Sequence, residues 1–346
     1  MKHLAFLCLS ALLLLPGAAQ AGNDPVDNLA SATQSRLQSH SFDALDAMGD
    51  KLRRTDARFP GGDSELRMFY EDAAAFDAMA CGCDADKTRI TFEQRKADIT
   101  AWLGAKPQSL TAHVAMAELL INAAWTARTG NYSDKVSDAQ WALFRERLTE
   151  AGTYLDIANR KDDPHIYSEM IEIALADSNP RPLLDALYAE ATKKYPRHFH
   201  FYSDRVERLQ EKWFGEPGEL AAYTKSLLTS PGGDDGEVAY TFVATRLSLL
   251  YYYTPGYLFT ETGLSWPEVK KAFAVRERLY GLSYGNWNTL LFLAQFANDP
   301  KSGAEYVRHI GNYWTEAYWK NQAGFDAAVH WSQSVYGLRP PDFRPH

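Results

Sequence analysis

The chain has 346 residues, 46% of them hydrophobic and 13% aromatic, so it can bury a large core and does not fall in the disordered class. Its formal net charge of −8 disfavours nucleic acid and anionic lipid as partners. Three cysteines are too few for a scaffold built on disulfides.

Met1-Lys2-His3 precede an apolar run from Leu4 to Leu15, and small residues, Ala19 and Ala21, stand just ahead of Gly22. A short basic start, a run too short to cross a bilayer and small residues before the junction make a secretory signal peptide cleaved after Ala21. Cys8 lies inside the run without the preceding small residues of a lipoprotein site, so no lipid anchor is expected. No later stretch reaches the roughly 18 consecutive apolar residues of a membrane helix, and no membrane insertion is expected after signal removal. The expected organisation is a signal peptide over 1–21, an N-terminal helical region over 22–90 and a helical-repeat domain over 91–346.

Breaks at Phe59-Pro60-Gly61-Gly62 and from Ala80 to Asp86 set the first helices apart. Cys81-Gly82-Cys83 falls in the second break. In an oxidising compartment it is open to a strained bridge, a reduced pair or an intermolecular link, of which a disulfide is favoured. Two thiolates without further ligands at zinc-like spacing do not make a metal site. Asp84 and Asp86 resemble the opening of a calcium loop, but Arg89 and Arg95 stand where glycine and glutamate are needed.

From Thr91 onward the periodicity is helical. Thr91 with Gln94, Ser137 with Gln140 and Ser265 with Glu268 fit capping boxes, and Asp163-Pro164 reads as an N-cap followed by proline at the first helical position. Phe144, Leu148, Ala151, Leu155 and Ala158 form an apolar stripe, as do Leu184, Leu187, Tyr188, Ala191 and Tyr195, and again Ala239, Phe242, Val243, Leu247 and Leu250. No alternation competes with them, so strands are not expected.

Motifs that invite chemistry read better as packing or solvent. His198-Phe199-His200 starts a helix, where residues two apart diverge, so a solvated or capping role near Lys193, Lys194 and Arg197 is expected rather than a metal. Asp162-Asp163 and Asp234-Asp235 are expected in solvated loops or caps. Tyr251-Tyr252-Tyr253 cannot all face one core stripe, so at least one is expected to be partly exposed. With Trp266 these tyrosines are the candidate interaction aromatics. Gly281-Leu282-Ser283-Tyr284-Gly285 matches a nucleophile elbow, but the preceding segment is helical where an elbow needs a strand. Trp314, Trp319, Phe325 and Trp331, with Gly324 between helices, suit a last repeat packed on its neighbour. No catalytic, cofactor-binding or metal-binding residues are assigned.

Pro164 and Pro196 open similar segments 32 positions apart, a period near that of tetratricopeptide units. The stretches 53–71, 101–130, LQEKWFGEPGEL (209–220) and 296–314 resemble a bacterial family of exported proteins. That resemblance implies a domain of unknown function related to tetratricopeptide arrays and brings no catalytic residues. Phe214 departs from it where a second glycine is expected after Trp213. The fold expected is therefore all-α, an irregular tetratricopeptide-like α-solenoid of antiparallel helix pairs. Its expected function is non-enzymatic, an exported array whose concave face binds an unknown protein or peptide in the cell envelope. The alternatives are a cell-wall glycan or peptide binding protein or hydrolase, or an immunity-type inhibitor of a secreted toxin.

Overall fold

In the computed structural model the protein is described over residues 25–76, 90–129, 135–157, 162–177 and 179–333. The expected signal peptide, the Cys81 and Cys83 pair, Asp84 and Asp86 lie outside these residues. The described residues are all-helical, with no strand among them. None of their helices is long and apolar enough to cross a membrane. The chain divides into two compact units. Of the described residues, 25–57 and 64–191 form unit 1, while 58–63 and 192–333 form unit 2.

Unit 1 holds α1 (Pro25–Gln38), α2 (Phe42–Thr55), α3 (Glu65–Ala74), α4 (Phe92–Ala105), α5 (Leu110–Arg128), α6 (Asp138–Ile157), α7 (Pro164–Ala174) and most of α8 (Pro180–Lys194). Its centre is α5, whose sequence LTAHVAMAELLINAAWTAR is apolar almost all round. A helix of that kind must be surrounded, and α2, α3, α4, α6 and α7 all pack on it. Phe69 and Tyr70 of α3 share one core with Ile99 and Trp102 of α4, so helices on both sides of residue 90 pack together. The boundary between units falls later, in the last turn of α8.

Unit 2 holds α9 (His200–Arg208), α10 (Glu219–Ser226), α11 (Gly233–Leu250), α12 (Leu258–Glu261), α13 (Trp266–Tyr280), α14 (Tyr284–Phe296), α15 (Pro300–Ile310), α16 (Glu316–Trp319) and α17 (Gln322–Gln333). Its centre is α11, against which α9, α13 and α14 pack. The same core takes Trp319, Phe325 and Trp331, as the sequence suggests. Gly324 lies inside α17 rather than between helices. A Cβ there would meet the Trp319 carbonyl oxygen at 2.1 Å, so glycine allows the close approach of α16.

Where it is described, most of each stripe is buried: Phe144, Leu148, Ala151 and Leu155 on α6, Leu184, Leu187, Tyr188 and Ala191 on α8, and Ala239, Phe242, Val243 and Leu247 on α11, while Tyr195 and Leu250 at the stripe ends are only half-buried. Thr91 and Gln94 form the capping box at α4, Ser137 and Gln140 bond reciprocally at α6, and Asp163 caps α7. Ser265 does not cap α13 with its side chain. Its backbone N–H instead donates to the Tyr240 hydroxyl at 2.9 Å, a long-range bond that replaces the local box.

The six residues 58–63 are held in unit 2 by Arg276, which is 2% exposed. Its Nε donates to the Gly61 carbonyl, its Nη1 to Thr241 Oγ1 at 3.0 Å, and its Nη2 lies 3.5 Å from Asp63 Oδ2. The guanidinium also stands 4.0 Å from the centre of the Phe242 ring. Burial pulls its pKa down, against the pull of Asp63 and Tyr280, to about 10, so it stays charged at neutral pH. Gly61 has φ +94°, and a Cβ there would sit 2.3 Å from Asn286 Oδ1, so both backbone and space demand glycine.

Two predictions follow from this packing. Arg276→Met should lower stability by about 3 to 5 kcal/mol in chemical denaturation, the scale of breaking a buried ionic network. A loss nearer the ~1 kcal/mol of an exposed ion pair would show that Arg276 is not what holds the loop. In α3, Asp72 has one carboxylate oxygen without a hydrogen bond, and burial, aided by Glu71 and Asp27 against Arg95, pushes its pKa from 3.8 up to about 7. The folded state thus keeps a proton that the unfolded chain sheds above pH 3.8, so stability falls as pH rises toward 7. Asp72→Asn should therefore raise the thermal midpoint most above about pH 7, with the gain fading toward about pH 4. Equal gains at both ends would refute this origin.

Candidate functional site

The aromatics singled out by sequence separate into different roles. Tyr251 and Tyr252 are partly buried, while Tyr253 is 46% exposed and Tyr257, one turn on, 54%. Tyr252 stacks on Phe292 at 5.4 Å, and its hydroxyl donates to the Tyr318 carbonyl at 2.9 Å. Tyr253 meets Tyr252 edge-on at 5.0 Å, and Lys320 Nζ lies 5.5 and 5.2 Å from the two ring centres. Trp266 is bound elsewhere: its Nε1 donates to Asp299 Oδ2 at 3.0 Å, the same oxygen that Lys270 reaches at 3.0 Å. The exposed candidates are thus Tyr253, beside Lys320, and Tyr257.

Ser283 of the GxSxG sequence caps α14 in a box with Asn286 and follows helix α13, so it has neither the strand nor the strain of a nucleophile elbow. His198 and His200 are buried rather than solvated, at 4% and 6% exposure. For His200 the reason lies outside its own segment, since Asp63 Oδ1 stands 3.3 Å from its Nε2 and Phe242 lies edge-on to its ring at 5.0 Å, while the His198 ring packs on Phe201 at 4.5 Å.

The larger correction concerns Asp163, which has no exposed surface although a solvated cap is expected from sequence. One oxygen accepts from the His165 backbone N–H at 2.8 Å. The other accepts from the Tyr70 hydroxyl at 2.6 Å and from Arg53 Nη1 at 3.1 Å. Arg53 Nη1 donates also to the Tyr70 oxygen at 2.6 Å, and its Nη2 reaches Asp50 at 2.6 Å and Thr111 at 2.8 Å. Burial opposes the charge on Arg53, but Tyr70 and Asp163 more than restore it and raise its pKa. Burial raises Tyr70, and the neighbouring Asp163 charge raises it further.

This network fixes the start of α7 and with it two inward residues. His165 and Glu169 are four apart, on one face of the helix. The His165 ring stacks on Tyr70 at 4.9 Å, and its Nε2 lies 3.1 Å from Glu118 Oε2 on α5. Asn122 donates to the other Glu118 oxygen at 3.1 Å. Burial disfavours the Glu118 charge, yet the bonds from His165 and Asn122 outweigh it and hold the carboxyl below its ordinary range. Glu169 has the opposite fate. Burial, then the charges of Glu118 and Asp163, push its carboxyl well above the usual range, with only the Glu118 backbone working against them. A donor atom from each of Glu118, His165 and Glu169 lies within 4.8 Å of the others.

Sequence reasoning passes over this trio, although signals exist. Glu118 is the lone acidic residue in the apolar α5, and His165 and Glu169 follow a proline-marked helix start at helical spacing. What joins them is the packing of α5 on α7.

A family described as "Domain of unknown function (DUF4034)" matches residues 31–217, a span that includes Arg53, Tyr70, Glu118, Asp163, His165 and Glu169. No curated protein and no solved structure matches the chain.

Asp163→Asn keeps a capping oxygen but leaves Arg53 without its buried counter-charge, so a loss of about 3 kcal/mol is expected. Tyr70→Phe, which removes one hydroxyl, should lose about 1 kcal/mol. Denaturation midpoints that rank these two the other way would show that the hydroxyl, not the charge, organises the network.

Proposed function

We propose, from the premise that the chain belongs to the DUF4034 family, that it is an exported helical protein that binds another protein in the cell envelope. The observation that carries this reading is the exposed Tyr253 with Lys320 Nζ 5.2 Å from its ring centre, and a second exposed tyrosine, Tyr257, four residues on. Tyrosine offers a large, stiff contact area with a polar tip, and such residues anchor protein interfaces. A cation beside them selects a partner segment that places a carboxylate next to an apolar side chain. The packing of consecutive helices, α5 on α6, α13 on α14 and α14 on α15, is consistent with a tetratricopeptide-like relationship. Export rests on the N-terminal sequence alone.

The test is a photo-crosslinking residue at position 257 in intact host cells. One envelope protein should be captured reproducibly. Capture should fall about tenfold or more with Lys320→Glu or Tyr253→Ser, the ~1.4 kcal/mol expected of an interface anchor, at unchanged thermal stability. Capture indifferent to both substitutions, or saturable binding of purified wall glycan with no protein captured, would overturn the reading.

A further inference from the structure

The heart of unit 1 buries more acid than base. Asp163 is answered by Arg53 and Tyr70, and Glu118 by His165 and Asn122. Glu169 is answered by no side chain. It is 1% exposed, and neither of its carboxylate oxygens meets a donor at hydrogen-bond geometry, the Glu118 backbone being the least of the influences on its charge; His165 Nδ1, in the same cluster, is buried and also without a partner. Buried polar groups are nearly always bonded, so a carboxylate orphaned at both oxygens needs a specific cause.

The geometry supplies one. Donors held about 2.0 to 2.2 Å from one small ion lie about 3 to 4 Å apart, and the donor atoms of Glu118, His165 and Glu169 already lie within 4.8 Å of one another. Small side-chain rotations close the difference. We propose that Glu118, His165 and Glu169 bind one divalent first-row transition-metal ion between α5 and α7. One imidazole among the donors turns the site away from magnesium and calcium, which take oxygen. The absence of thiolate from the trio turns it away from copper(I).

The surroundings suit a structural ion. All three ligands stand on helices rather than loops, and His165 and Glu169 share one face of α7. Asp163 holds the His165 backbone while Tyr70 covers its ring, so the imidazole is aimed before an ion arrives. The ion neutralises Glu169 and takes the place of the proton between His165 and Glu118, joining α5 to α7. This site lies in unit 1 and stands independently of the aromatic surface in unit 2.

The test uses the full chain, stripped with a chelator and titrated with Zn²⁺ by calorimetry, with Mg²⁺ as the control. One Zn²⁺ should bind per chain and raise the thermal midpoint, and Mg²⁺ should not. Glu169→Gln should weaken Zn²⁺ at least about 100-fold, the upper scale for losing even an outer-shell partner, and abolish the Zn²⁺-induced rise. If the far-ultraviolet spectrum shows that Glu169→Gln does not fold, Glu118→Gln carries the same comparison. Co²⁺ in place of Zn²⁺ should give visible ligand-field bands without thiolate charge transfer. A thiolate band would put the ion on Cys81 and Cys83 and overturn the proposal. So would binding that survives the substitutions, or no stoichiometric binding by the unsubstituted chain.

Discussion

A carboxylate with no exposed surface is tolerable only when its lone pairs meet donors, and in unit 1 that condition falls on Asp163. Its donors come from three directions: Tyr70 on α3, Arg53 on α2 and the first turn of its own helix. Satisfying one side chain therefore fixes where α7 begins relative to α2 and α3. It also sets which residues α7 turns toward α5. The same bonds that cap the helix orient His165 and Glu169, so the local rule for starting a helix and the long-range placement of the polar cluster are one constraint.

Unit 2 solves the inverse problem. Arg276 is a buried cation, and its donors are met largely by neutral oxygens, the Gly61 carbonyl and the Thr241 hydroxyl, with Asp63 somewhat further away. The face of Phe242 adds attraction without needing a second buried charge. The two units thus differ in how they handle charge. Unit 2 spreads one cation over carbonyl, hydroxyl and ring, whereas unit 1 gathers three carboxylates around one histidine and one arginine.

Features governed by neighbours in sequence were legible in the chain, and features governed by distant packing were not. The stripe on α6, the box at Thr91 and the cap at Asp163 depend on residues within a few positions, and all form. Ser265 looks identical in sequence to a working cap, but Tyr240 hydroxyl claims its backbone N–H from 25 positions away. His200 reads as solvated because nothing in its segment announces Asp63 or Phe242. Asp163 reads as a surface cap because its burial depends on Arg53 and Tyr70, which lie about a hundred residues earlier. The trio of Glu118, His165 and Glu169 is hidden for the same reason: its parts are visible on two helices, but their meeting is not.

The discontinuous make-up of unit 2 bears on how the chain is synthesised and how it can be cut. Residues 58–63 leave the ribosome early, while Arg276, which bonds Gly61 from 215 positions away, emerges only near the end. Unit 2 is therefore unable to close while the chain is growing, whatever unit 1 has already achieved. No single cut in the gene releases it either, since a fragment beginning at residue 192 carries the buried guanidinium without the loop that answers it. An autonomous unit 2 needs rewired connectivity, with 58–63 returned as a segment of its own.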